Sequence, residues 1–414
     1  MSVKVKSFKG ITYNREKINI EKVVTPPYDV ITQEQQQEYY NRDNYNIIRL
    51  ILGKEFNNDD KNNNKYTRAR EYFHAWLKEN ILIQDSEENI YYLEEEFEFG
   101  EKKYLRQGFI GIIKLESFSQ GNIIPHERTL RGPKKDRFNL IKECKANFSQ
   151  IFGLYSDNEL KVNRILKNAS ENINPYFSFK FGEIKYNFWK ISDNKSINEI
   201  KEIMKEKKIF IADGHHRYET ALMYRDYMRE KLNLEDDKEF PFDYVMMYFC
   251  PMEEDGLLVL PTHRLLKNVS IDDNFFKKAE NYFIIQKSSF KNIKSIAQGS
   301  FLFFDGNEFY LFKIKDEFKS NDKLDVEILE ELIFKECIGI SDEEISTKEK
   351  VDFIKDEIKG IELVKRGEYK GIFILHPPDI NKVREISLTK GVLPQKSTYF
   401  YPKLLTGLVI YSLE

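Results

Sequence analysis

The sequence predicts an α+β fold in which mixed sheets pack with helices. Three observations carry that reading. Strand-like and helix-like segments alternate along 414 residues with no internal repeat and no low-complexity tract. Two aromatic-rich hairpin signals stand far apart in the chain, and three further runs read as helices. Apolar residues make up 41% and aromatics 14%, led by 32 Phe and 24 Tyr, which excludes a disordered chain despite 32% charged residues. A chain of this length exceeds a single core, so more than one domain is expected.

The elements follow in order. The opening MSVKVKSFKGITYN has scattered charges and no apolar run of signal-peptide length. VVTPPYDVIT reads as a β-like run stopped by Pro26 and Pro27, which then present Tyr28 and Asp29 on a rigid loop. NNKYTRAREYFHAWLKEN places Tyr66, Ala69, Tyr72, Phe73, Trp76 and Leu77 close to helical spacing. IYYLEEEFEF and YLRQGFIGIIKLESF, joined by Gly-Glu-Lys-Lys, predict a hairpin, and SFLFFDGNEFYLFKI predicts another around Asp305-Gly306-Asn307. DVEILEELIFKECI and VDFIKDEIKGIELVKRG read as helices, and GIFILHPPDI as a buried strand ended by Pro377-Pro378. The expected division is 1–120, an N-terminal α/β region with a hairpin; 121–240, a phosphate-binding core; and 241–414, a C-terminal α/β region completing the site.

Charge and cysteines narrow the function. A net charge of -3 supplies no basic field, so nucleic acid is not an expected partner. Three cysteines far apart suggest neither a disulfide framework nor a cysteine-rich zinc site, and no segment has the length and apolarity of a membrane span. The expectation is a cytoplasmic, soluble protein.

The densest chemistry lies in IFIADGHHRYETALMYR, residues 209–225. A short buried strand, a turn at Asp213-Gly214 and a helix beginning at His215 would aim amides and aligned peptide dipoles at the loop, which favours an anion. Gly214 lets backbone approach a phosphate, Arg217 forks onto its oxygens, and His215 and His216 add donors. The bland alternative has Asp213 capping the helix, Gly214 relaxing the turn and the basic residues solvated.

Four other clusters accompany it. IIPHERTLRGPKKDRFNLI carries His126, Glu127, Arg128, Thr129 and Arg137; Glu127 beside a histidine and cations suits a general base, while a solvated loop entering a helix is the alternative. Asp29 and Asp213 are candidate magnesium ligands, and Tyr28 a substrate contact or a core residue. LPTHRLL offers His263 and Arg264 for an anion. QKSTYFYPK offers Lys396, Ser397, Thr398 and Lys403 among aromatics for closing over a nucleotide base by stacking, or as buried tyrosines with hydroxyl partners. The histidines match no compact zinc spacing, and the P-loop, Rossmann and nucleophile-elbow motifs are missing from the sequence.

ADGHHR resembles the phosphate-binding signature of the ParB and sulfiredoxin superfamily, and is most similar there to the free-serine kinases. VVTPPYDVI, HERTLRGPKKDRFNLIKECKANFSQIFGLY, IADGHHRYETAL, LPTHRLL and LPQKSTYFYPKLLTGLVI, in that order, resemble across nearly the whole chain the domain-of-unknown-function family numbered one thousand and fifteen. The resemblance implies a ParB/sulfiredoxin-like core with large N- and C-terminal extensions. It also implies a small-molecule kinase moving phosphate from ATP or ADP, with Mg2+, to a hydroxyl acceptor such as free L-serine. Gly214, His215, His216 and Arg217 would bind the nucleotide. Glu127, His126 and Asp213 would be catalytic, with Tyr28, Asp29, Arg128, Thr129, Arg137, His263, Arg264, Lys396 and Ser397 around the substrate. A ParB-like regulatory protein and a phosphoesterase or nuclease are the alternatives.

Overall fold

The first predicted hairpin seeds the larger sheet of the computed structural model, which describes residues 2–127, 131–235, 238–291, 296–320, 322–389, 393–394 and 396–414. The chain forms two units: residues 1–125, 130–257 and 402–414, and residues 126–129 and 258–401. The strands of the first unit's main sheet are β1 (Val5–Lys6), β2 (Ile90–Phe99), β3 (Lys102–Lys114), β4 (Ile123–Ile124), β5 (Ile151–Tyr155), β6 (Phe177–Phe181), β7 (Ile184–Ile191), β8 (Ile209–Asp213) and β9 (Tyr244–Pro251). Their order is β4-β8-β5-β9-β3-β2-β7-β6, with β1 also on β3. β8 runs parallel to β4 and β9 parallel to β5; the other pairs are antiparallel. Residues 1–120 and 121–240 thus share one sheet.

Alternation along the strands sends Phe109, Ile151, Ile211, Val245 and Met247 into one core. Three helices cover it: α1 (Lys161–Ser170) with Val162 and Leu166, α2 (Asn194–Lys205) with Ile197, Ile200 and Met204, and α3 (His215–Leu232) with Tyr218 and Ala221. Full burial of such a side chain stabilises by roughly 1.5–3 kcal/mol, so this apolar face, more than any cap, fixes where α3 begins.

The second unit holds β10 (His263–Leu266), β11 (Phe283–Ser288), β12 (Ser300–Phe304), β13 (Phe309–Ile314), β14 (Val351–Ile354) and β15 (Gly371–Ile374) in the order β11-β13-β12-β15-β10-β14, every pair antiparallel. The second predicted hairpin is present: Gly306 has φ +103°, and Asp305 Oδ1 accepts the amides of Asn307 and Glu308. Its core gathers Phe301, Phe303, Phe312, Leu329, Phe334 and Phe373 among others.

Two local expectations are corrected. Residues 351–367 are not one helix: Val351–Ile354 is β14, paired with β10, and the helix starts only at Glu357. Asp356 accepts the Lys359 amide and caps that helix, and Val351, Phe353 and Ile354 favour the pleated ladder before it. The segment before Pro26 is likewise no strand. Ile20–Val23 is a helical turn capped by Asn19, and Thr25 makes a lone bridge to Thr406. No helix among the described residues is long and apolar enough to cross a membrane.

Candidate functional site

In the first unit β8 ends at Asp213, Gly214 takes φ +94°, and α3 starts at His215. That positive φ suits glycine, and its lack of a side chain leaves the start of the helix uncapped by its own residue. His215 is buried at 5% exposure, and His216 and Arg217 are half-buried. Arg217 folds back over the glycine: a Cβ on Gly214 would lie 2.9 Å from Arg217 Nε. Arg217 Nη1 donates to the Gln150 carbonyl, and Nη2 stands 3.4 Å from Asp213 Oδ1. The N-cap position of α3 belongs to Gly214, one residue after Asp213. Asp213 Oδ2 accepts from Lys403 Nζ at 2.6 Å, so one carboxylate holds two cations.

Beside this junction, within the same unit, lies a cleft of about 450 Å³ lined by Tyr28, Arg137, Phe148, Ser149, Arg217 and Val245 among others. The Arg137 guanidinium stacks 3.9 Å from the centre of the Tyr28 ring and donates to the Ile51 carbonyl. Burial pushes the Tyr28 phenol up, partly offset by Arg137. Burial opposes ionisation of Asp136, yet Arg137 and Lys65 outweigh it and hold the carboxyl down to about 2. The structure therefore gathers Tyr28, Arg137 and Arg217, which are distant in sequence, around one opening. Asp29 follows in a 3-10 turn and is exposed.

In the second unit His126 is 3% exposed; its Nε2 lies 2.9 Å from Thr398 Oγ1 and 3.7 Å from Glu127 Oε1. The His126 carbonyl accepts the Leu393 amide. A cavity of about 510 Å³ is lined by Thr262, Arg264, Asp325, His376, Lys382 and Ser397 among others, so two expected substrate contacts, Arg264 and Ser397, share one space. Burial lowers Arg264 to about 10 against the opposing charges of Glu330 and Glu127, and raises Glu330 to about 7. His263 has a different position: its Nδ1 accepts the Leu375 amide, and its Nε2 is 3.8 Å from Glu357. Lys396 is exposed, its carbonyl accepting from Arg264. Arg128 and Thr129 lie outside the described residues.

Motif reading did not assign Lys403 to Asp213, 190 residues away. It also passed over Glu95 and Arg106, a fully buried pair 2.6 Å apart on β2 and β3. No group of three or more His, Cys, Asp or Glu suited to a metal occurs among the described residues.

A family model described as "Protein of unknown function (DUF1015)" matches residues 5–332. No curated protein matches the chain. Among solved structures, a conserved hypothetical protein from Pyrococcus furiosus is 12% identical with a TM-score of 0.36, over 70% of this chain and 90% of that one. A free serine kinase in complex with AMP is 13% identical with a TM-score of 0.35, over 70% and 86%. SbnI from Staphylococcus aureus, with a C-terminal truncation, is 9% identical with a TM-score of 0.36, over 72% and 85%.

Proposed function

The chain belongs to the DUF1015 family, and from that premise we propose that this member is a small-molecule kinase that grips ATP or ADP by its phosphates at the start of α3. The observation that carries the proposal is the junction itself. A helix of 18 residues begins directly after a left-handed glycine, with two histidines and an arginine in its first turn, beside a cleft rimmed by Arg137 and Arg217. Its amide dipoles and cations favour polyphosphate, and the cleft with its Tyr28–Arg137 stack offers room for what the phosphates carry.

In the proposed transfer, an acceptor hydroxyl oxygen attacks the terminal phosphorus, the bond from phosphorus to the departing nucleotide oxygen breaks, and the hydroxyl proton passes to a carboxylate. Free L-serine, suggested by the likeness of ADGHHR to the free-serine kinases, is the proposed acceptor. Magnesium would arrive on the phosphates, with exposed Asp29 as its protein ligand. Asp213 is already occupied by Lys403 and Arg217, so no step is routed through a metal there.

The test is incubation with labelled ATP or ADP, magnesium and a pool of amino acids and sugars. Label should appear on one metabolite, and Arg217→Ala should lower turnover about a hundredfold, the typical loss when one preorganised charge is removed. Label found only in inorganic phosphate, or full turnover by Arg217→Ala, would overturn the proposal.

A further inference from the structure

The cavity of about 510 Å³ in the second unit has a buried floor and an open rim. Leu324, Val326 and Leu375 are buried along it, while His376 and Asp379 line it from exposed positions. Thr262 is 7% exposed, and its hydroxyl is buried without a hydrogen-bond partner among the described residues. A hydroxyl left in that state costs stability that a bound acceptor would restore. Ser397, also buried, gives its proton to the Pro394 carbonyl at 2.6 Å, which leaves its oxygen as an acceptor. Asp325 Oδ1 accepts the Gly299 amide at 2.9 Å, and Asp325 has no ion pair among the described residues. Burial raises its carboxyl, and the Gly299 amide, Lys382 and His376 pull it back down in part.

The lining sets two cations, Arg264 and Lys382, against two carboxylates, Asp325 and Asp379. A ligand of one sign would disturb that balance, whereas a small zwitterion brings both signs at once. We propose that the second unit binds a free aliphatic amino acid in this cavity. Its ammonium donates to Asp325 and Ser397, its carboxylate accepts from Thr262 and meets Lys382, and its side chain lies against Leu324, Val326 and Leu375. The ammonium answers the one carboxylate of the floor that has no ion pair, and the carboxylate answers the one buried hydroxyl whose proton is unused. The apolar walls set the preference for the side chain: a hydroxyl there would be buried with no partner and would weaken binding. This site is separate from the phosphate transfer proposed above, whose acceptor carries a hydroxyl, and either reading can fail alone.

Calorimetric titration of the full chain without nucleotide tests this. The probes are L-valine, L-serine, isovalerate, which lacks the ammonium, and isobutylamine, which lacks the carboxylate. L-Valine should bind, and each of the other three should bind about tenfold more weakly or worse, the loss expected when a buried polar partner goes unanswered. Asp325→Asn keeps an acceptor for the Gly299 amide but removes the charge, so it should weaken L-valine about tenfold, to the level of isovalerate. Thr262→Val, the second variant should the asparagine chain fail to fold, deletes the lone hydroxyl at nearly constant shape. It should raise the melting temperature of the free protein while weakening L-valine, a combination that a merely structural threonine would not give. No binding of L-valine by wild type, equal binding of isovalerate, tighter binding of L-serine, or unaltered L-valine affinity in the folded variants would each overturn the inference. Label transferred from ATP or ADP to a metabolite by a chain that ignores L-valine would overturn it alone and leave the kinase reading standing.

Discussion

Gly214 is where a single atom separates two behaviours. A methyl group there would force an L side chain into φ +94° and stand 2.9 Å from the Arg217 guanidinium. The backbone term costs about 1–2 kcal/mol, and the contact would displace Arg217 from Gln150 and Asp213. Gly214→Ala should therefore lower the melting temperature and weaken ADP at least tenfold by calorimetry. Gly182, at φ +59° with open space around its missing side chain, supplies the control. Gly182→Ala should destabilise comparably yet leave ADP affinity within twofold. The basic residues of this junction were legible because they sit within one turn of each other. Lys403 was visible as a cation but not as a partner of Asp213, since nothing local ties positions 190 residues apart. Arg106 was within reach: in a two-residue hairpin centred on Gly100-Glu101, counting outward sets it opposite Glu95, and that is the observed register.

Among the elements, hairpins and amphipathic helices could be read because their periods repeat over many residues. β14 could not, because four strand residues run directly into a capped helix and the longer period masks the shorter. The ladder between β3 and β9 has a requirement of its own. A Cβ on Gly108 would run first into the backbone carbonyl oxygen of Phe249 and fall 2.6 Å from both Cζ and the hydroxyl of Tyr248, a fully buried ring. With close packing on both sides, the strands must separate to admit it. Gly108→Ala should cost about 1–3 kcal/mol, measured as a lower urea midpoint with an unchanged slope. An unchanged midpoint would mean that the Phe249 backbone and Tyr248 both give way without loss.

Over the whole molecule, each unit holds a buried glutamic acid whose protonated form burial favours up to about 7. Glu254 in the first and Glu330 in the second are 7% and 8% exposed, and burial raises each to about 7. For an acid raised in the native state, the folded chain keeps a proton that the unfolded chain gives up near its ordinary value of 4.5. Stability is thus full below that value and falls as pH climbs to about 7, by on the order of 1–3 kcal/mol for each group. Scanning calorimetry at pH 5 and pH 8 should show higher melting at pH 5. Glu254→Gln and Glu330→Gln should each reduce that difference, and a difference unaltered by both would refute the assignment.

The first unit is completed by residues 402–414, after the chain has left it to form the second. On the ribosome, β8 and α3 are made well before Lys403, so Asp213 must wait for another 190 residues before that partner emerges. A nascent polypeptide stalled anywhere upstream of Pro402 would hold Gln150 and Asp213 without the Leu405 carbonyl and the Lys403 ammonium. Asp213 in such a chain would meet Arg217 but not Lys403, so the junction should gain its full stability only after residues 402–414 have joined the first unit.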